Sequence, residues 1–177
     1  MRTLSNLTAP KSTKIKWIAE TNITGPVARV YKEVSQPQET SNNESIQWLR
    51  LISAEIRRSE GILELHDDWD GEGSKGYSLT TWLRAVFFVL LSAIHLWEVG
   101  QIELDTPDIT SGPDGSIDIH WKNPHRELLI NIPENQADLA NYYGRNKVGQ
   151  TVEGDILPSV DSDTLKRNQW LTMWLMQ

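Results

Sequence analysis

The spacing of apolar residues along this chain switches from a helical period to a strand period near Gly100, and that switch predicts its organisation. Ile46, Leu49, Ile52 and Ile56 recur at intervals of three and four, with Ser53 in the next slot. This predicts a helix from Glu44 with one core-facing stripe. Glu55, Arg57 and Arg58 mark its wet side and its end. A short ILEL run follows, and then the polar loop LHDDWDGEGSKGYS, Leu65 to Ser78. Ser78 is placed to cap a second helix that runs to about Val99 and stops at Gly100. Within it AVFFVLLSAI, Ala85–Ile94, is a ten-residue apolar run between Arg84 and His95. By that count it is too short to span a bilayer, so the helix is read as a buried core element.

Past Gly100 the period falls to two. In SIDIHW, Ile117, Ile119 and Trp121 share one face, and in ELLINI, Leu128, Ile130 and Ile132 do the same. The intervening KNPHR predicts a hairpin turn, and SGPDG, with breakers Pro113 and Gly115, predicts another turn before the first strand. A further strand near Asn141–Val152 would extend the pair into a meander. Near the start, KIKWIAE (Lys14–Glu20) and PVARVYKEV (Pro26–Val34) flank TNITG and predict a hairpin, followed by the polar linker Ser35–Ser45. The end of the chain, DTLKRNQWLTMWLMQ, is helix-like, with Asp163 as a cap. The predicted class is therefore α+β: two core helices on an antiparallel meander, with an N-terminal hairpin and a C-terminal helix. All 177 residues fit one domain: hairpin and loop in 1–43, the helix–helix–sheet core in 44–155, and the last helix in 160–177.

Charge and composition narrow the setting. The formal net charge is −7, which disfavours direct nucleic-acid binding and favours a protein partner with a basic surface. With no cysteine there is no disulfide, thiolate metal site or thiol nucleophile. MRTLSNLTAPKSTK lacks the apolar core of a signal peptide, so the expected location is the cytoplasm, without a membrane. Eight tryptophans against two phenylalanines put unusual weight on indole burial.

The loop between the two predicted helices holds the sharpest chemistry. Six carboxylates fall between Glu60 and Glu72 with no Lys or Arg among them. Asp68, Asp70, Glu72 and Gly73 match the first positions of a calcium loop, but the twelfth, which must be a bidentate Glu, is Leu79. His66 with Asp68 and Asp70 offers a transition-metal or hydrolytic site, with His120 as a distant helper. The structural alternative is a joint. Trp69 would plug the core between the helices, Asp70 would cap backbone N–H groups, and Gly71 and Gly73 would supply positive φ.

The wording Trp69-Asp70-Gly71-Glu72-Gly73-Ser74, followed by a long apolar helix, Pro107-Asp108-Ile109, a PDGSI turn and I-x-I-x-W, resembles a family. It is similar to uncharacterised small bacterial proteins whose helix–helix joint usually reads NWDGYGA. The likeness covers about residues 44–155 and departs at Asp68 for Asn, Glu72 for Tyr and Ser74 for Ala. It implies the fold and the structural role of the joint, and brings no chemistry with it.

Elsewhere, His125 and Arg126 on the KNPHR turn form a pair suited to phosphate chemistry, though turn residues of this kind are commonly just exposed. Trp170, Met173 and Trp174 fall on one stripe of the C-terminal helix, which must be covered by the chain's own sheet or by another chain, a second copy included. There is no Walker lysine motif, G-x-G-x-x-G, G-x-S-x-G or H-E-x-x-H, so no cofactor or catalytic metal is predicted. The leading expectation is a non-catalytic interaction protein, an accessory subunit or inhibitor- or antitoxin-like partner. Its contacts would be Asp67, Asp68, Glu72, Trp170, Met173 and Trp174. The rivals are a metal-dependent hydrolase or nuclease at His66/Asp68/Asp70, and a nucleic-acid-binding accessory subunit that would require the lysines of 11–16 to converge with Arg145 and Lys147.

Overall fold

In the computed structural model, residues 47–158 are described, together with Asn168, Trp170 and Trp174. They fall within one compact unit, Glu39–Gln177. The N-terminal hairpin expectation and Met173 lie outside the described residues. Of the C-terminal stretch, Asn168, Trp170 and Trp174 have helical backbone.

The first described helix, α1 (Gln47–Ser59), buries Trp48, Ile52, Ser53, Ile56 and Ser59. Of the expected stripe, Ile52 and Ile56 are buried, Leu49 is only half-buried and Ile46 lies outside the described residues. The buried line runs instead through Trp48, Ile52, Ile56 and Ser59, because Trp48 precedes Ile52 by one turn. The ILEL run falls in a 3-10 turn, Glu60–Glu64, that tucks Ile62 into the core. Helix α2 (Leu79–Gly100) starts where its cap requires: the Ser78 hydroxyl accepts from the Thr81 N–H at 3.1 Å. At the other end the left-handed residue is Gln101, φ 54°, rather than Gly100. Gln101 is held there because its side-chain Nε2 and its own N–H both donate to the Trp97 carbonyl.

Five antiparallel strands follow in meander order: β1 (Asp108–Ser111), β2 (Ile117–Lys122), β3 (Arg126–Ile132), β4 (Ala140–Asn146) and β5 (Thr151–Ile156). The class is α+β, with two helices on one antiparallel sheet. The inward face carries Ile109, Ile117, Ile119, Trp121, Leu128, Ile130, Ile132 and Ala140, all buried as the period-two pattern requires. Helix α1 lies against β1, and α2 lies against β2 and β3.

Two sequence expectations change here. Asn141–Val152 is not one strand but parts of two, because Asn146 to Gly149 turns the chain, with Gly149 at φ 81°. Helix α2, at 22 residues and roughly 33 Å, is long and apolar enough to cross a bilayer, so counting only Ala85–Ile94 understated it. Of its most apolar window, 56% is buried inside the protein.

The open edge of β1 is closed by a side chain. Glu55 of α1 accepts the outward N–H of Ile109 at 2.7 Å, while Arg58 bonds the same carboxylate. A free strand N–H that could pair with another chain is thereby occupied.

Candidate functional site

A meander places the β1–β2 and β3–β4 connections at one end of the sheet and the β2–β3 and β4–β5 turns at the other. The acidic loop between α1 and α2 sits at the first end. Its Tyr77 hydroxyl donates to the Gly112 carbonyl at 2.7 Å, and Lys75 pairs with Glu134 at 3.2 Å. Gly76 is required by close packing: a Cβ there would stand 2.9 Å from the Asp67 nitrogen.

Inside the loop, each aspartate takes a backbone N–H. Asp67 accepts from Gly76 (2.8 Å), and Asp68 from Gly73 (2.8 Å). Asp70 accepts from Glu72 (2.9 Å) and Ser74 (3.3 Å), and from the Ser74 hydroxyl as well. Backbone bonds from Asp68 to Ser74 and from Tyr77 to Leu65 close the base. Asp68, Gly71 and Gly73 take left-handed φ of 62°, 73° and 84°, a region open to glycine and tolerated by Asp or Asn. The Ser74 hydroxyl, then the Glu72 N–H, hold the Asp70 carboxyl below its ordinary range.

Trp69 corrects the sequence reading. It does not plug the core; its side chain is 45% exposed. The left-handed turn at Asp68 and the Trp69 N–H bond to the His66 carbonyl aim it outward. The helix junction is filled instead by Trp82, 1% exposed, whose indole N–H donates to the Ser59 hydroxyl at 3.0 Å. Surrounding Trp69, His66, Asp67, Asp68, Asp70 and Glu72 are all exposed.

Among the described residues, no three His, Asp or Glu side chains form a group able to hold a metal ion. His66, Asp68 and Asp70 are neighbours in sequence, yet the loop spends both carboxylates on its own backbone. His120 is not brought to them: it lies half-buried in β2, paired in register with Asp108 and Leu129.

At the opposite end of the sheet, the two turns are tied by the Lys147 N–H to the His125 carbonyl at 2.9 Å. Lys122, His125, Arg126, Arg145 and Lys147 line one shallow cavity there, of about 140 Å³. This convergence went unforeseen, because the four Lys and Arg residues come from two separate hairpins. The Arg126 guanidinium lies 5.1 Å from the Trp174 ring centroid and donates to the Trp174 carbonyl at 2.6 Å. Trp170 meets Tyr142 edge-on at 5.0 Å and stays 41% exposed. Both indoles thus contact the chain's own sheet over β3 and β4.

Compared with protein-family models, curated proteins and solved structures, the chain matches none of them.

Proposed function

We propose that the chain is a non-catalytic interaction protein, the accessory or inhibitory partner in a cytoplasmic bacterial complex, and that its acidic joint docks a basic protein surface. One observation carries this: an indole, Trp69, stands 45% exposed amid five exposed polar side chains, four of them carboxylates. A large ring in an acidic rim joins the two parts of a protein contact, burial for affinity and charge for encounter and orientation. The loop's internal hydrogen bonds supply the third requirement. Its backbone is fixed before binding, so little ordering entropy is lost on association. Asp67, Asp68 and Glu72 give the charge. Trp170, with Met173 and Trp174 on the stripe of the proposed C-terminal helix, adds a second contact. The likeness to bacterial proteins with an NWDGYGA joint supports the loop's structural part and leaves the acid as this chain's own feature.

The test compares full-length protein with Trp69→Ala/Glu72→Lys in retrieving a stoichiometric partner from the native host. The variant should lose the partner while its melting temperature stays within a few degrees. Wild-type retrieval should weaken between about 50 and 300 mM salt, as screening of exposed charges requires. Full retention by the variant, or indifference to salt, would sink the reading.

A further inference from the structure

We propose that the far end of the sheet binds a phosphate group in the cavity lined by Lys122, His125, Arg126, Arg145 and Lys147. The charge balance is local and strong. Four Lys and Arg residues line it in a chain whose net charge is −7, and three of them, Lys122, Arg145 and Lys147, keep their charged groups off the Trp174 face of the sheet. Two acids stand beside them: Glu127, bridged to Arg145 at 2.9 Å, and Asp105, which accepts from Asn123 at 3.4 Å. Among the described residues, Lys122 and Lys147 make no ion pair. Like charges gathered with so little neutralisation repel one another, and a multiply charged anion relieves that.

The site is also shaped in advance. The Asn123 side chain accepts the N–H groups of His125 and Arg126, both at 2.9 Å, and Asn146 accepts those of Val148 and Gln150 at 3.2 and 2.9 Å. The turn backbones are therefore satisfied, and recognition falls to side chains. Arg126 has its guanidinium on Trp174, on the sheet face that carries Leu128 and Ile130. Glu127 orients Arg145 on the other face, where Lys122 stands opposite Glu127 in register and Lys147 comes from the β4–β5 turn. Cations arriving from several directions suit a tetrahedral oxyanion of charge near −2 better than a planar carboxylate, which one arginine fork satisfies. A volume of about 140 Å³ admits one phosphate and some of its water.

The experiment titrates full-length protein with inorganic phosphate at constant ionic strength, chloride replacing it in the control. Amide NMR shifts of His125 and Lys147 report occupancy. Phosphate should shift both and saturate, whereas chloride should not. The double variant Lys122→Gln/Lys147→Gln should weaken binding roughly tenfold, a loss of about 1.4 kcal/mol. Lys75→Gln, at the other end of the sheet, should leave it unchanged. Two further arms separate the sources of the phosphate. A mononucleotide that binds like free phosphate identifies a small ligand. A single-stranded oligonucleotide that binds more tightly, with a salt slope of several phosphates, identifies a polynucleotide backbone. Equal responses to phosphate and chloride, or a double variant that binds as the wild type does, would overturn the proposal.

Discussion

The two ends of this sheet solve the same problem with opposite electrostatic results. At both, short polar side chains accept backbone N–H groups that the turns leave without partners. At the helix joint the acceptors are Asp67, Asp68 and Asp70; at the far turns they are Asn123 and Asn146. A carboxylate and a side-chain amide present nearly the same acceptor oxygen, so either can shape a turn. Only the carboxylate leaves a negative charge behind. The choice of Asp or Asn thus gives each end its sign with little change of geometry, and the lysines and arginines beside Asn123 and Asn146 keep their field. Asp68 itself stands at φ 62°, a backbone region that Asp and Asn both tolerate.

The largest expected effect comes from the frame that both ends share. Trp82→Ala removes a buried indole and its bond to Ser59, and should cost about 3–5 kcal/mol in urea unfolding. Partner retrieval and phosphate binding should then fail together at temperatures where the wild type stands. Loss of one without the other would show that the ends do not depend on a common core.

A smaller effect isolates charge from shape. Asp67→Asn with Asp68→Asn should keep the loop, at a stability cost below about 1 kcal/mol, while weakening partner binding at low salt. The mirror change, Asn146→Asp, should keep the turn and lower phosphate affinity several-fold. If either swap unfolds its loop, the equivalence of the two acceptors fails.

The smallest effect is in pH. The Asp70 carboxyl is held below its ordinary 3.8, mainly by the Ser74 hydroxyl, so its folded form ionises more readily than its unfolded form. Its contribution is whole above that value and is lost as acid protonates the folded group below it. Asp70→Asn, which resembles the protonated carboxyl, should therefore lower the neutral plateau slightly and converge with the wild type in acid, so that its acid limb is shallower below about pH 4. An identical acid limb in wild type and variant would remove Asp70 from the account.

Much of the fold was legible because it depends on local periodicity. The Ser78 cap, the alternating faces of Ile117–Trp121 and Leu128–Ile132, and the stripe through Ile52 and Ile56 each follow from burial on one side of a regular element. Strand β1 was missed as a strand because four residues, Asp108–Ser111, are too few to show a period. Gln101 was missed as the left-handed cap because its stabilising bonds are made by its own side chain and backbone rather than by glycine's freedom.

The sequence by itself determined the class, the helix–loop–helix joint, and the presence of surplus acid in that joint, since all three rest on neighbours in the chain. Only the tertiary structure decided that Trp69 faces outward while Trp82 fills the junction, because two indoles near one corner compete and the loop's left-handed turn settles which is buried. It alone decided that Lys122, Arg145 and Lys147 share one end and cavity of the sheet, because strand pairing in register joins residues that are distant along the chain. Periodicity reports which face a residue takes, while register and turn geometry decide which residues share it.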